Sequence, residues 1–516
     1  MHVSFTQILY TPLSKEFWIF NVVEAVVVSA QVLPLPGFAC RFPSTLGLLA
    51  ALAAPLASAV EPLEVKGRYF VNPNNGNRFQ IVGIDYQPGG SAGYDPKSGK
   101  DPLSDRDHCL RDAALMQVLG VNTIRVYNLD PNINHDECAS IFNAAGMYMI
   151  IDVNSPLPGE ALTSFEPWTS YYDTYLNRTF AIVEAFKSYP NTLLFFSGNE
   201  VIDRAESAEF GPRYIRAVTR DLKNYIKKHS KRYIPVGYSA ADVRDILWDS
   251  WNYFTCRIKG EEDDESRADV FGLNSYSWCG DATFESSTFK DLVEGFKDTS
   301  VPIFFSEFGC NEVTPRLFTE IAAIYGDKMT PVFSGGMVYE YTQEANNYGL
   351  VKLDKETGDA ELLVDYNTLA KRYAAIDFDA LYAQKAGDDT PDPVTCDAKL
   401  ITQKGFDTNF TIPAMPADDS EKILNAGVKP APVGKIIDVT QLVTPHKVVD
   451  TDGNELTNIG IKVVPDNGWN KPGINTAFAV GAGAGNGTSA ADDEGAGAFL
   501  HPSLLALAVP LVALLI

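Results

Sequence analysis

Eight apolar, strand-like runs alternate with helix-like runs between residues 79 and 341, and this alternation narrows the fold more than any other feature of the 516-residue chain. The strand-like runs are Phe79–Tyr86, Val121–Tyr127, Met147–Val153, Leu193–Ser197, Tyr233–Gly237, Val270–Asn274, Pro302–Ser306 and Gly335–Tyr341. Helical spacing recurs between them, in Arg106–Leu119, Tyr171–Tyr189, Arg213–His229 and Pro315–Ile324. Short continuous apolar runs read as strands buried on both faces, the mark of a parallel sheet covered by helices. Eight such units in about 300 residues predict an α/β fold, a closed (β/α)8 TIM barrel. An open doubly wound sheet is the alternative, but no glycine-rich phosphate loop follows the first strand.

In such a barrel, chemistry is done where the strands end. Two runs end in glutamate: Leu193-Leu194-Phe195-Phe196-Ser197-Gly198-Asn199-Glu200 and Val301-Pro302-Ile303-Phe304-Phe305-Ser306-Glu307. They are the fourth and seventh strands, so both carboxylates face one cleft from opposite sides of the mouth. A pair of carboxylates flanking a glycosidic bond is the apparatus of glycoside hydrolysis, and the retaining form needs them about 5 to 5.5 Å apart. Glu200 is the expected acid/base and Glu307 the expected nucleophile. The Asn199 amide is placed to bond a sugar 2-OH, and a tyrosine hydroxyl, Tyr276 being the candidate, to orient Glu307. The other strand ends supply a polar and aromatic lining: Tyr86, Gln87, Arg125, Tyr127, Asp152, Asn154, Tyr339, Glu340 and Tyr348. Aromatic rings offer flat apolar faces to sugars. The six histidines show no metal-ligand spacing and none adjoins the glutamate motifs, so neither imidazole catalysis nor a metal is expected. No cofactor is expected either.

A net charge of −24 argues against nucleic acid or an anionic membrane surface as partner. The ends of the chain bear on compartment. An apolar run, Leu46 to Leu56, follows Arg41 and precedes Ala57-Ser58-Ala59, the pattern of a secretory signal peptide. Its distance from residue 1 leaves two readings, a start placed too far upstream or a genuine N-terminal anchor. Leu504 to Ile516 is apolar, and small residues from Gly485 to Ala491 precede a spacer with Asp492, Asp493 and Glu494. That order is a GPI-attachment signal, with the attachment residue between Gly485 and Ala490, a span that includes Asn486 and Ser489. Sequons begin at Asn177, Asn409 and Asn486. Seven cysteines occur; without Cys40 in the leader, six remain, which suits disulfides in an oxidising compartment. The spacing alone leaves 15 possible pairings. The expected organisation is a leader over 1–59, the barrel over 60–385 and an extension packed on it over 386–479. A Gly/Ala-rich tether with the attachment region over 480–497 and an apolar tail over 498–516 complete it. Within the extension, Lys435–Val439 and Ile459–Val464 read as short β pieces.

Taken in order, the motifs Gly83-Ile84-Asp85-Tyr86-Gln87-Pro88-Gly89-Gly90, Ile124-Arg125-Val126-Tyr127-Asn128, Ser197-Gly198-Asn199-Glu200, Asn274-Ser275-Tyr276-Ser277-Trp278-Cys279-Gly280, Phe305-Ser306-Glu307-Phe308-Gly309-Cys310 and Gly336-Met337-Val338-Tyr339-Glu340-Tyr341, with Asn347-Tyr348-Gly349-Leu350, resemble those of glycoside hydrolase family 72. These are the fungal, GPI-anchored β-1,3-glucanosyltransferases. The resemblance implies a (β/α)8 barrel that cleaves a β-1,3-glucan internally and transfers the glucosyl-enzyme chain to the non-reducing end of another. Donor and acceptor glucans are then the partners, the lipid anchor is the membrane link, and no protein partner is implied. It implies Glu200 as acid/base, Glu307 as nucleophile, and Gln87, Tyr127, Asp152, Asn199, Tyr276, Tyr339 and Tyr348 along the groove. It also implies disulfides Cys109–Cys138, Cys256–Cys396 and Cys279–Cys310. No cysteine follows Cys396, which resembles the subgroup lacking a cysteine-rich carbohydrate-binding module. Residues 1–40 match nothing in the family's pattern. Spacing and composition leave open a hydrolytic endo-β-1,3-glucanase, a glycosidase acting on another polymer, and a non-catalytic glucan-binding wall protein.

Overall fold

The computed structural model describes residues 60–478, apart from 91–93, 418, 431 and 432. The leader, tether and tail, with Asn486 and Ser489, lie outside the described residues. A small antiparallel sheet comes first: β1 (Glu64–Lys66), β2 (Tyr69–Val71) and β3 (Arg78–Phe79). Eight strands then close into a barrel: β4 (Ile81–Asp85), β5 (Thr123–Val126), β6 (Tyr148–Asp152), β7 (Thr192–Asn199), β8 (Val236–Ala241), β9 (Val270–Asn274), β10 (Ile303–Phe308) and β11 (Phe333–Val338). Every neighbouring pair is parallel, and β11 pairs with β4 to complete the circle. The expected (β/α)8 fold is present. At the closing seam Gly335 has φ +85°, and a Cβ there would stand 2.1 Å from the Ile81 carbonyl oxygen, so only glycine lets the two strands meet.

Helices α1 (Arg106–Leu119), α2 (Asp136–Ala144), α3 (Asp173–Phe186), α4 (Gly211–His229), α5 (Arg244–Thr255), α6 (Phe289–Phe296), α7 (Ile321–Ile324) and α8 (Val364–Ala374) fill the intervals. The bounds of α1 are those expected from the sequence, because both stop signals are local. The Asp105 carboxylate accepts from the Asp107 and His108 amides, and Gly120 takes the left-handed conformation at the other end. Elsewhere the expectation needed correction. The fifth strand runs over Val236–Ala241, not Tyr233–Gly237, and Tyr233 is exposed. The segment Pro315–Ile324 yields only the four-residue α7, because Arg316 and Phe318 turn inward before it. The last barrel strand stops at Val338, which leaves Tyr339 just beyond its end.

Two apolar layers sit inside and outside the barrel wall. Phe79, Ile81, Tyr148, Ile150, Leu194, Phe196, Val270, Phe304 and Met337 fill the interior, and Phe70 of the small sheet packs with them, its ring 6.2 Å from that of Phe304. The larger layer lies between strands and helices. The extension forms α10 (Ser420–Ala426) and supplies β14 (Val448–Val449) and β15 (Glu455–Leu456), which join β12 (Val351–Leu353) and β13 (Ala360–Leu362) of the preceding segment in a four-stranded sheet; α9 (Phe378–Tyr382) also lies ahead of the extension. Neither Lys435–Val439 nor Ile459–Val464 is a strand; the second makes only a bridge at Gly460. The extension is fastened to the barrel by buried polar groups: Asn470 donates to the Gln117 and Val121 carbonyls, and Asn475 to the Gln117 side chain. Three disulfides are formed, Cys109–Cys138 between α1 and α2, Cys256–Cys396 between the end of α5 and the extension, and Cys279–Cys310 beside the ends of β9 and β10. They are the pairings that the resemblance implies. No helix of the described residues is long and apolar enough to cross a membrane.

Candidate active site

The interior rises from an apolar floor, where Phe196 and Phe304 stack with ring centroids 6.0 Å apart, to a single buried cation. Arg125 of β5 is fully buried over the Phe196 ring, its guanidinium carbon 4.9 Å from the centroid. A charge there is tolerable only if its donors are matched. Nε and Nη2 grip Asp152 at 3.1 and 2.8 Å, and Nη2 also reaches Asn199 Oδ1 at 2.9 Å. Nη1 bonds the Ser306 carbonyl at 3.2 Å and Glu307 Oε1 at 3.3 Å. Strands β6, β7 and β10 are thus tied to one side chain. The sequence reading placed Arg125 among the lining residues, but it is the hub beneath them. An arginine inside the apolar run Thr123–Val126 was the available signal.

Glu307 receives two further donors. Tyr276 OH bonds Oε2 at 2.7 Å, as expected, and Tyr127 OH bonds Oε1 at 2.8 Å. Burial drives the Glu307 carboxyl up, to about 7; the Arg125 charge and the two phenols oppose that rise and the Glu200 charge adds to it. Hydrogen bonds from three donors favour the ionised form, the form that attacks. Tyr127 and Tyr276 are held neutral, chiefly by burial, so both remain donors. Asp85, fully buried nearby, is pushed well above the carboxylate range by burial and then by the Glu307 charge.

Glu200 follows the last residue of β7 in the left-handed region, φ +48°, a conformation that a side chain with a Cβ holds only under constraint. Its amide donates to the Ser239 carbonyl at 2.9 Å. The pairing registers of β7 and β10 shift just before Asn199 and Glu307, and such bulges re-aim the side chains that follow. Asn274, which the sequence reading did not single out, sets the other side. Its oxygen accepts from Ser239 at 3.1 Å and Ser306 at 2.7 Å, so its amide nitrogen faces Asn199 at 3.1 Å and Glu200 Oε1 at 2.9 Å. Its place at the end of β9 was the only clue. The oxygen of Asn199 is taken by Arg125 and Asn274, which leaves its amide nitrogen for a ligand.

Gln87, Tyr127, Asp152, Asn154, Asn199, Glu200, Glu307 and Tyr339 line one cavity of about 370 Å³, together with the Ser155–Ser164 loop. Tyr276, Tyr339 and Tyr348 form a cluster of mutually edge-on rings, with centroids 5.2 to 6.2 Å apart. Arg316 positions two of them: its guanidinium donates to the Tyr339 carbonyl at 2.7 Å and the Tyr348 carbonyl at 2.5 Å while its Nε pairs with Asp365 of α8 at 2.7 Å. Besides Arg125, three residues expected in the lining do not line that cavity: Tyr348, whose ring adjoins it through Tyr339, and two that are buried elsewhere. Tyr86 is fully buried and donates to Asp112, and Glu340 is buried and accepts from Asn346. A larger hollow, about 560 Å³ between Lys223–Tyr233 and Arg257–Arg267, is lined by paired lysines and acids and shows no such convergence. Cys279 and Cys310 lie near Glu312, but the two sulfurs are bonded to each other rather than free to bind metal. Of the sequon residues, Asn409 is exposed and Asn177 is half-buried within α3.

A family profile for glycoside hydrolase family 72, described as glucanosyltransferase, matches residues 52–377. The chain belongs to that family. The 1,3-beta-glucanosyltransferase gel2 of Aspergillus fumigatus is 50% identical over 424 residues, covering 82% of this chain and 87% of that one. The probable 1,3-beta-glucanosyltransferase GAS3 of Saccharomyces cerevisiae is 46% identical over 411 residues, with coverage of 76% and 77%. Among solved structures, a glutamate-to-glutamine mutant of Saccharomyces cerevisiae Gas2p in complex with laminaritetraose and laminaripentaose superposes with a TM-score of 0.60 at 34% identity, over 70% of this chain and 76% of that one.

Proposed function

We propose that this family member is a β-1,3-glucanosyltransferase that works by a retaining double displacement. The observation that carries the assignment of roles is the asymmetry of donors: Tyr127, Tyr276 and Arg125 converge on Glu307, whereas among the described residues Glu200 receives only the neutral Asn274 amide. Glu307 therefore attacks the anomeric carbon as the bond to the leaving chain breaks, and Glu200 gives its proton to the departing oxygen. The released segment keeps the donor's original reducing end and gains a free 3-OH as a new non-reducing end, and the donor's other segment stays on Glu307 as an ester through its anomeric carbon. The 3-OH at the non-reducing end of a second glucan then loses its proton to Glu200 and attacks the same carbon. That step frees Glu307 and leaves a longer chain with the original anomeric configuration. The Asn199 amide nitrogen bonds the 2-OH, where interaction strengthens as positive charge develops at the ring. Tyr339 and Tyr348 are the acceptor platform, which favours a sugar hydroxyl over water.

Secretion and a lipid tether at the cell surface belong to the same reading. They are supported by the apolar Leu46–Leu56 run, the small-residue and apolar pattern near the C-terminus, and three disulfides. Because no cysteine follows Cys396, glucan binding is assigned to the barrel's own groove rather than to an appended module.

The test is mass spectrometry of the products formed from one laminari-oligosaccharide of defined length. Products longer than the starting sugar, absent with Glu307→Gln, are expected. Shorter products alone would mark a glucanase, and unchanged sugar would mark a binding protein or a different polymer.

A further inference from the structure

A β-1,3-glucan is a polymer, and a cavity of about 370 Å³ is near the lower end of the ~300–1,000 Å³ range of ligand pockets. A chain bound there must run out over the surface beyond the mouth. On one side the surface is aromatic. Phe165, Trp168 and Phe210 are 53%, 46% and 38% exposed, the only exposed phenylalanines and tryptophan among the described residues. Single exposed apolar side chains need no explanation, but three large rings grouped at one place do. Trp168 and Phe210 meet edge to face with centroids 5.3 Å apart, and the Arg204 guanidinium lies 5.7 Å from the Phe165 centroid.

The group is continuous with the site. Leu162 and Ser164 line the cavity, and Phe165 is the next residue. Glu200 and Val201 line it too, and Arg204 lies three residues on. The turn that carries Phe165 and Trp168 is also braced by its own hydrogen bonds. Thr163 N donates to Ser170 Oγ at 2.9 Å, Thr169 Oγ1 donates to the Glu166 carbonyl at 2.8 Å, and Tyr171 OH donates to Asp221 of α4 at 2.5 Å, anchoring the turn. A turn already ordered in the free protein loses little conformational freedom on binding.

We propose that Phe165, Trp168 and Phe210 form an outlying sugar platform, on which the same glucan that occupies the cavity stacks one or more glucosyl rings. The chemistry fits a neutral β-linked sugar: its ring substituents lie equatorially, so its faces are C–H surfaces of slight positive charge that suit the negative face of an aromatic ring. The inference rests on the glucan reading of the cavity and adds a length requirement to it.

The experiment measures binding of a series of laminari-oligosaccharides, from short to long, by calorimetry. The proteins are Glu307→Gln, which cannot consume them, and Glu307→Gln carrying Phe165→Ala and Trp168→Ala. The expected result is that affinity rises with chain length in the first protein, and that the added substitutions remove about tenfold of the gain for long chains, about 1.4 kcal/mol. Trp168→Phe, which keeps a ring, should restore most of it, and melting curves check that the variants fold. Equal affinities at every length would overturn the platform, as would a change in sedimentation with no change in glucan affinity, which would make the patch a contact between copies. The glucan reading fails separately, if wild-type protein gives no product from any of these sugars.

Discussion

Glu307 is asked to be two things, a buried group and a charged one, and the contest leaves measurable traces. Its carboxyl is raised by burial from an ordinary 4.5 to about 7. A carboxyl raised in the fold contributes stability below its unfolded value and loses that contribution as pH climbs through the folded one. The melting temperature of the wild type should therefore fall between about pH 4.5 and 7 relative to that of Glu307→Gln, which has no such proton to lose. Parallel thermal melts across that range check it; a constant difference between the two proteins would show that Glu307 is not shifted. Tyr276→Phe removes the donor on Oε2 while keeping the ring, and should lower kcat/KM about 100-fold with little change in fold. Its rate should recover in part at higher pH, since a carboxylate deprived of a donor ionises later. The two glutamates were legible in the sequence because each closes an apolar run. Arg125 was visible as a residue but not as the hub, since its partners come from three other strands that only the closed barrel brings together.

Among the elements, the loop after β10 shows why helical spacing is not enough to make a helix. Pro315 to Ile324 has the periodicity, yet Arg316 is more strongly served by Asp365 and by two carbonyls of the tyrosine loop than by a helical turn. The competing partners lie 23 to 49 residues away in sequence, out of reach of any local pattern. Strand β8 was misplaced for a related reason: Tyr233 and Ile234 look more strand-like than Ser239-Ala240-Ala241, but small residues are what the crowded barrel wall accepts there. Helix α1, by contrast, carries its own punctuation. Tyr348→Ala removes part of the ring cluster directly and should shift products from transfer toward hydrolysis several-fold. Arg316→Lys, which keeps a charge but cannot hold two carbonyls and a carboxylate at once, should give a smaller shift in the same direction. Product ratios from one oligosaccharide decide both; unchanged ratios would remove the cluster from the acceptor side.

At the scale of the molecule, the extension is part of the barrel's stability and not a separable appendage. It buries Asn470 and Asn475 against α1 and is bonded covalently through Cys396. Closing a loop of 140 residues should stabilise the fold by about 3 to 5 kcal/mol in the chain-entropy view, so Cys256→Ser with Cys396→Ser should melt several degrees lower. The existence of an extension on the barrel was legible from the fading of the βα alternation. Its strands were not, because β14 and β15 span two residues each and are specified by pairing, β14 with β13 and β15 with β14.

The Cys256–Cys396 bond also makes a ring of backbone. Tyr276, Glu307, Tyr339 and Tyr348 all lie between those cysteines in sequence, whereas Asp152, Asn199 and Glu200 lie before them. The cleft is thus assembled from a linear stretch and a covalent loop. A protease that cuts once between residues 257 and 395 opens that loop but releases nothing, and the cut chain runs at full size on a gel until a reductant is added.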